Sequence, residues 1–266
     1  MNNKIDFPFD KEGALKINEF RINVLDNILE NLKLQDTAIR SCLDAGCGVG
    51  YFAKFLKEKG FDVKAFDIRE ENIVEAKTRV KDVEFFVDDI EELKNIKEDF
   101  DLVLCFGLLY HLENPLKALR NLAKLTKKYL IIESMIIPDN KPTALLVKER
   151  QELDQSKNYV ALIPSEKLIN MFLKLLDFKV YKIDLKYHKV NIHNDFKKSL
   201  FKNKSRTIIL ASRKPLYING IKEIEENLSP DYLLHYRKLI RWLFKLLIEI
   251  KQYYIKKFFK FFIRAK

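Results

Sequence analysis

Glycine and proline are scarce in this chain, seven of each in 266 residues, and cysteine is scarcer still at three. So little glycine and proline excludes a collagen-like or low-complexity chain. Cys42, Cys47 and Cys105 show no paired metal spacing. That excludes a disulfide framework and a zinc ribbon, and leaves buried, reduced thiols of a cytoplasmic protein as the expectation, with no metal site. No stretch approaches the ~18 uncharged residues that a membrane-spanning helix needs. The polar, broken opening "MNNKIDFPFDKEG" lacks the charged-then-apolar pattern of a secretory leader. What remains is a soluble globular composition, 47% hydrophobic and 33% charged, with ample length for one sizeable core.

Acidic residues are nearly missing from one region. Between Tyr232 and Lys266 stand ten Lys/Arg and the single acid Glu249, so this stretch carries +9 of the chain's +11 and the preceding 231 residues only +2. A partner argued from charge therefore has to be argued from the tail. Within it, polar residues recur at positions 238, 241, 245, 249, 252, 256 and 260, one stripe down a helix, and almost everything between is Leu, Ile, Phe, Trp or Tyr. Such a helix suits an anionic membrane surface, apolar face down and cations towards the headgroups. Packing on the body, packing against a second copy in a homodimer, and contact with RNA are the alternatives.

Hydrophobic periodicity orders the rest. An amphipathic helix runs from about Lys11 to Leu34. A short apolar run, Ser41–Ala45, ends at glycines and feeds the helical "YFAKFLKEKG"; "FDVKAFD" is a strand and "REENIVEAKTRV" a helix. "VEFFVDD" and "FDLVLCF" are strands, "NPLKALRNLAKLT" starts a helix at Asn114 with Pro115 in its first turn, and "KYLIIES" is a fifth strand. Ser165 and Glu166 open another helix, and "FKVYKIDLKY" and "RTIILASR" follow as an antiparallel pair. Alternating strands and helices predict an α/β, Rossmann-like, mostly parallel sheet of seven strands with helices on both faces, an antiparallel edge strand, and the long amphipathic helix at the C-terminus. The expected divisions are an N-terminal helical segment 1–37, an α/β domain 38–213, a linker 214–230 and the basic helix 231–266.

Three of the seven glycines fall in "CLDAGCGVGYF", at Gly46, Gly48 and Gly50. A strand, a glycine-rich turn and a helix place backbone N–H groups and a helix N-terminus against a ligand. A dinucleotide loop would carry its third glycine at position 51, where this chain has Tyr51. The spacing of "LDAGCGVG" instead resembles the D/E-x-G-x-G-x-G motif of class I S-adenosylmethionine-dependent methyltransferases. Asp67 at the end of the second strand, "VEFFVDDIEEL" after the third and "FDLVLCFGLLYHLENP" at the fourth extend the resemblance over about residues 38–213.

The resemblance implies S-adenosylmethionine as cofactor. It implies contacts from Asp44, Ala45, Gly46, Cys47, Gly48 and Gly50 in the loop, and from Asp67 and Ile68, with Asp67 accepting the ribose hydroxyls. Asp89 and Ile90 would hold the adenine, and Phe106, at the end of the fourth strand, would also contact the cofactor. Asp89 is preferred to Asp88 by alignment with the family's "GDAEDL" pattern, whose glycine is missing here. His111 is the histidine of the implied site. It acts either as general base for a hydroxyl acceptor or as a packing residue that orients its loop. Its neighbour Tyr110 either hydrogen-bonds the acceptor or caps the pocket. The resemblance also implies a substrate lid at 135–163, and Glu133, Lys148 and Arg150 are weaker candidates.

The resulting reading is an enzyme, a methyltransferase that O-methylates a small or lipid-linked acceptor (a glycan, a polyprenyl-linked sugar or a quinone precursor) at the inner membrane face. A tRNA-modifying enzyme, similar to the wobble-uridine modifying relatives, is the second reading, against which the near-neutral body argues. A non-catalytic S-adenosylmethionine-binding protein is the third.

Overall fold

The computed structural model describes residues 7–183, 203, 205–225 and 245. The chain falls into two units, Met1–Ile224 and Glu225–Lys266. The cationic helix expected over 231–266 lies, apart from Lys245, outside the described residues, as do His188, His193 and His235.

The first unit opens with helix α1 (Glu12–Gln35). Strand β1 (Ser41–Ala45), helix α2 (Tyr51–Glu58), strand β2 (Asp62–Asp67), helix α3 (Glu70–Arg79) and strand β3 (Glu84–Val87) then alternate. Strand β4 (Phe100–Phe106), helix α4 (Pro115–Leu125) and strand β5 (Thr126–Met135) follow. Local chemistry sets several of these ends. The Asn114 side chain accepts the Lys117 N–H and Pro115 fills the first turn of α4. The Ser165 hydroxyl caps helix α5 (Glu166–Leu175) by accepting the Leu168 N–H.

The stretch read as a lid contains a hairpin, β6 (Ala144–Lys148) with β7 (Val160–Pro164). Strands β8 (Lys179–Ile183), β9 (Arg206–Ser212) and β10 (Ile221–Glu223) complete the main sheet, in the order β10-β8-β9-β5-β4-β1-β2-β3. Strands β1 to β5 pair in parallel, and β9 runs antiparallel to both β5 and β8.

The sheet has eight strands, one more than expected. The extra strand, β10, is three residues long, and no alternation announces it. It is drawn to the edge because Ile218 buries itself in the core and the Leu216 N–H donates to the Tyr181 hydroxyl at 2.8 Å. The late antiparallel pair is present as read, with β10 outside it.

Period-two alternation divides the sheet's two faces. Leu102, Leu104 and Phe106 of β4 join a core built with α1, α2 and α3, whereas Val103 and Cys105 join one built with α4 and α5. Leu25, Ile28 and Leu32 of α1 are wholly buried in the first core, so α1 packs as part of this unit. In an open parallel sheet, ligands bind beyond the strand C-termini where the order reverses. Here that place lies between β1 and β4, and the glycine loop and Phe106 both arrive there.

Candidate active site

The loop after β1 is held by backbone bonds. The Gly46 and Cys47 N–H groups both donate to the Phe66 carbonyl at 2.9 Å, and the Gly48 N–H donates to Asp67 Oδ2 at 2.9 Å. Gly46 has φ of +75° and Gly48 of +52°, the left-handed region that favours glycine. A Cβ on Gly46 would stand 2.8 Å from a Leu108 methyl, and one on Gly48 would stand 3.0 Å from the Phe9 ring. Side chains are thus excluded where a ligand would have to approach the backbone.

Two acids sit behind this loop. Asp44 is 1% exposed and its Oδ2 has no hydrogen-bond partner among the described residues. Burial pushes its carboxyl up to about 7, opposed by the Ala53 N–H and assisted by the charge of Asp67. Asp67, also buried, is raised by burial in spite of bonds from the Arg69 and Gly48 N–H groups and the Asn72 amide. The three cysteines are free and buried, as expected.

The end of β4 supplies the opposite wall. Phe106 packs edge-on to Phe52, and the chain then turns through Gly107 and Leu108 into a helical turn, Leu109–His111. Beneath it lies a buried charge cluster. Glu133 of β5 is wholly buried and meets Arg21 of α1 at 2.5 Å and Arg206 of β9 at 2.6 Å. Burial alone would raise the Glu133 carboxyl, but the two guanidiniums hold it below its ordinary value. Arg206 also donates to the Tyr110 hydroxyl at 3.4 Å and lies over its ring.

His111, half-buried, packs against Tyr110 with ring centres 4.1 Å apart and the ring planes tilted by 44°. Its Nδ1 lies 2.7 Å from Glu149 Oε1, and the other oxygen of Glu149 accepts the Ser156 N–H, also at 2.7 Å. The imidazole therefore has one nitrogen committed to a carboxylate and Nε2 left for other chemistry.

Two adjoining cavities meet at this histidine. One, of about 270 Å³, is lined by Gly46, Cys47, Gly48, Asp67, Ile68, Phe106, Tyr110 and His111 among others. The second, of about 460 Å³, is lined by Ile68, Asp89, Leu108, His111 and the lid residues Gln155 to Asn158. Asp89 faces this second space, whereas Asp88 is spent on structure, accepting four backbone N–H groups from Asp89, Lys94, Asn95 and Ile96. Ala45 and Ile90, named from the sequence as cofactor contacts, are buried in the core under α4 and line neither cavity. Gly50 caps α2, and Asp44 lies behind the loop; neither forms cavity wall. Arg150 is exposed beside Glu152 and faces neither space.

Three participants escaped the sequence reading. Arg21 lines the first cavity close to Gly107, and a charge within the apolar stripe of α1 was its one available signal. Glu149 and Arg206 reach the site from the lid and from β9, and no local pattern marks either.

This strand order, with its glycine loop at the reversal point, is the α/β Rossmann-like methyltransferase fold. The chain belongs to the methyltransferase-domain family, whose model matches residues 17–192. Over 130 residues it is 35% identical to the ubiquinone biosynthesis O-methyltransferase of Rickettsia bellii, covering 45% of this chain and 52% of that protein. Over 157 residues it is 29% identical to the tRNA U34 carboxymethyltransferase of Idiomarina loihiensis, covering 55% and 47%. The chain thus spans about half the length of the curated relatives it matches. Among solved structures it is similar to magnesium protoporphyrin IX methyltransferase of Synechocystis PCC 6803 with bound S-adenosylmethionine. The TM-score there is 0.51 at 18% identity, covering 80% of this chain and 87% of that one.

Proposed function

We propose that this chain is an S-adenosylmethionine-dependent O-methyltransferase with His111 as its general base. The observation that carries this reading is the imidazole at the meeting of the two cavities, with Nδ1 held by Glu149 and Nε2 left for an acceptor hydroxyl.

The residues fit the cofactor. The glycine loop leaves room where a Cβ would intrude, Asp67 stands at the strand end where ribose hydroxyls need an acceptor, and Arg21 offers a cation to an amino-acid carboxylate. When bound, S-adenosylmethionine supplies a methyl group on a sulfonium whose sulfur departs with the C–S electron pair. His111 takes the acceptor's hydroxyl proton at Nε2 as the oxygen forms its new bond to carbon. Tyr110 and Phe106 wall the cavity, and Arg21 and Asp67 would hold the carboxylate and the ribose of the cofactor, so alignment would contribute beside proton removal.

A phenolic hydroxyl of a quinone precursor is the acceptor class favoured by the 35% identity to the ubiquinone enzyme. The basic, apolar tail 231–266 is proposed to keep the enzyme at an anionic membrane surface, where such precursors reside. No helix among the described residues is long and apolar enough to cross a membrane. The likeness to the tRNA carboxymethyltransferase supports a second reading, an RNA acceptor. Incubation of the full chain with methyl-labelled S-adenosylmethionine and host extract separates them. Label in the lipid-extractable fraction, lost on removing residues 232–266, is expected. Label in RNA overturns the quinone reading.

A further inference from the structure

We propose that Glu149 is a positioning residue that sets the tautomer of His111, and that the lid loop carrying it is latched to the cofactor's ribose acid, Asp67. The proposal rests on the reading of His111 as base.

Glu149 follows β6 directly, and its backbone N–H donates to the Tyr159 carbonyl at 2.8 Å, closing the hairpin over the site. A free imidazole exchanges its proton between its two nitrogens, and only the form protonated at Nδ1 presents a lone pair at Nε2. A carboxylate 2.7 Å from Nδ1 selects that form. Burial opposes ionisation of Glu149, but the bonds from His111 and the Ser156 N–H hold its carboxyl below the ordinary value, so it is ionised at neutral pH.

The loop that carries Glu149 has little regular structure of its own and is held from outside. The Asn72 amide donates both to Asp67 Oδ1 and to the Leu153 carbonyl, at 3.1 Å each. The Arg69 N–H donates to the same Asp67 oxygen at 2.9 Å, and its guanidinium reaches the Gln155 and Ser156 carbonyls at 3.4 and 3.5 Å. Ser156 in turn donates to Glu149. A continuous path of hydrogen bonds thus runs from the carboxylate suited to the ribose, through Asn72 and Arg69, along the loop to Glu149 and His111. Pairwise packing of the lid would need no such path. The path makes a base ordered on the lid depend on the same acid that takes the cofactor.

The test uses the full chain with S-adenosylhomocysteine, and reads the imidazole ¹⁵N signals of His111, assigned by loss in His111→Gln, beside turnover of a simple catechol. The parent is expected to show a single Nδ1-protonated form. Glu149→Gln is expected to give a mixture of tautomers and at least ~10-fold lower kcat, with the Kd for S-adenosylhomocysteine little changed, and Glu149→Asp is expected to recover part of both losses. Asn72→Ala, or Arg69→Ala where the first variant melts early, is expected to produce the same mixture with Glu149 intact. A single tautomer and parental kcat in Glu149→Gln overturn the positioning role. A single tautomer in both latch variants overturns the latch. If His111→Gln itself keeps full turnover, it is the general-base reading that falls, which a failure of the Glu149 variants alone would not imply.

Discussion

Arg21, in the middle of α1, and Glu133, near the end of β5, meet at 2.5 Å with Glu133 wholly buried. The contact ties the first helix of the chain to the floor of the active site. It also aims a guanidinium at the cavity beside the glycine loop, and a second guanidinium, Arg206, meets the other oxygen of Glu133.

Glu133→Gln removes the carboxylate that meets Arg21 at 2.5 Å and leaves that buried guanidinium without its counter-charge, a loss of about 3–5 kcal/mol. Because the Glu133 carboxyl is held below its ordinary value, its contribution is present above the unfolded carboxylate pKa and is lost as pH falls through the lower folded value. Urea titrations at pH 7 should show the lowered midpoint, and an unchanged midpoint would mean that the cluster contributes nothing.

Asp44 works in the opposite direction. Its folded carboxyl titrates at about 7, so between an unfolded value of 3.8 and that point the native state binds the extra proton. Its contribution to stability therefore falls as pH rises through this window, by as much as ~4 kcal/mol in the ligand-free protein. Asp44→Asn keeps the shape without the charge. The stability difference between variant and parent should widen from pH 4 to pH 7.5, and a flat difference would remove Asp44 from the titration.

Arg21→Lys and Arg21→Ala should weaken S-adenosylhomocysteine, the alanine variant by about 1.5–3 kcal/mol, the range of a hydrogen bond to a charged group. Methylthioadenosine lacks the amino-acid end and should bind parent and variants alike. Calorimetry with the two ligands makes the comparison, and equal losses for both would place Arg21 elsewhere than at the carboxylate.

Gly46→Ala puts a methyl 2.8 Å from a Leu108 methyl, at a φ of +75° where an L-residue costs about 1–2 kcal/mol. Binding of S-adenosylhomocysteine should fall by at least ~10-fold. Gly13→Ala, on open helix surface with nothing within 4 Å of the added carbon, is the control and should bind like the parent.

The glycine loop and the strand-end acid Asp67 of the candidate cofactor half were legible in the sequence because their signals are local. A strand, three glycines and a helix lie within one short stretch, and Asp67 ends the next strand. Even there, neighbours parted. Asp88 and Asp89 are adjacent carboxylates, yet one is consumed by four backbone N–H groups and the other faces a cavity. Ala45, at the end of β1, and Ile90, in the turn after Asp89, are buried in the core instead of lining either cavity. The eighth strand was missed because three residues carry no periodicity.

By itself, then, the sequence determined the alternating α/β order, the parallel sheet and the place of the glycine loop, since hydrophobic period and glycine content act over a few neighbouring residues. Only the tertiary structure decided that Glu149 serves His111 across 38 residues and that Arg206 meets Glu133 across 73. Charged side chains carry no periodic signature of their partners. Which of them pair is decided when the folded core leaves a buried carboxylate or imidazole that must be satisfied.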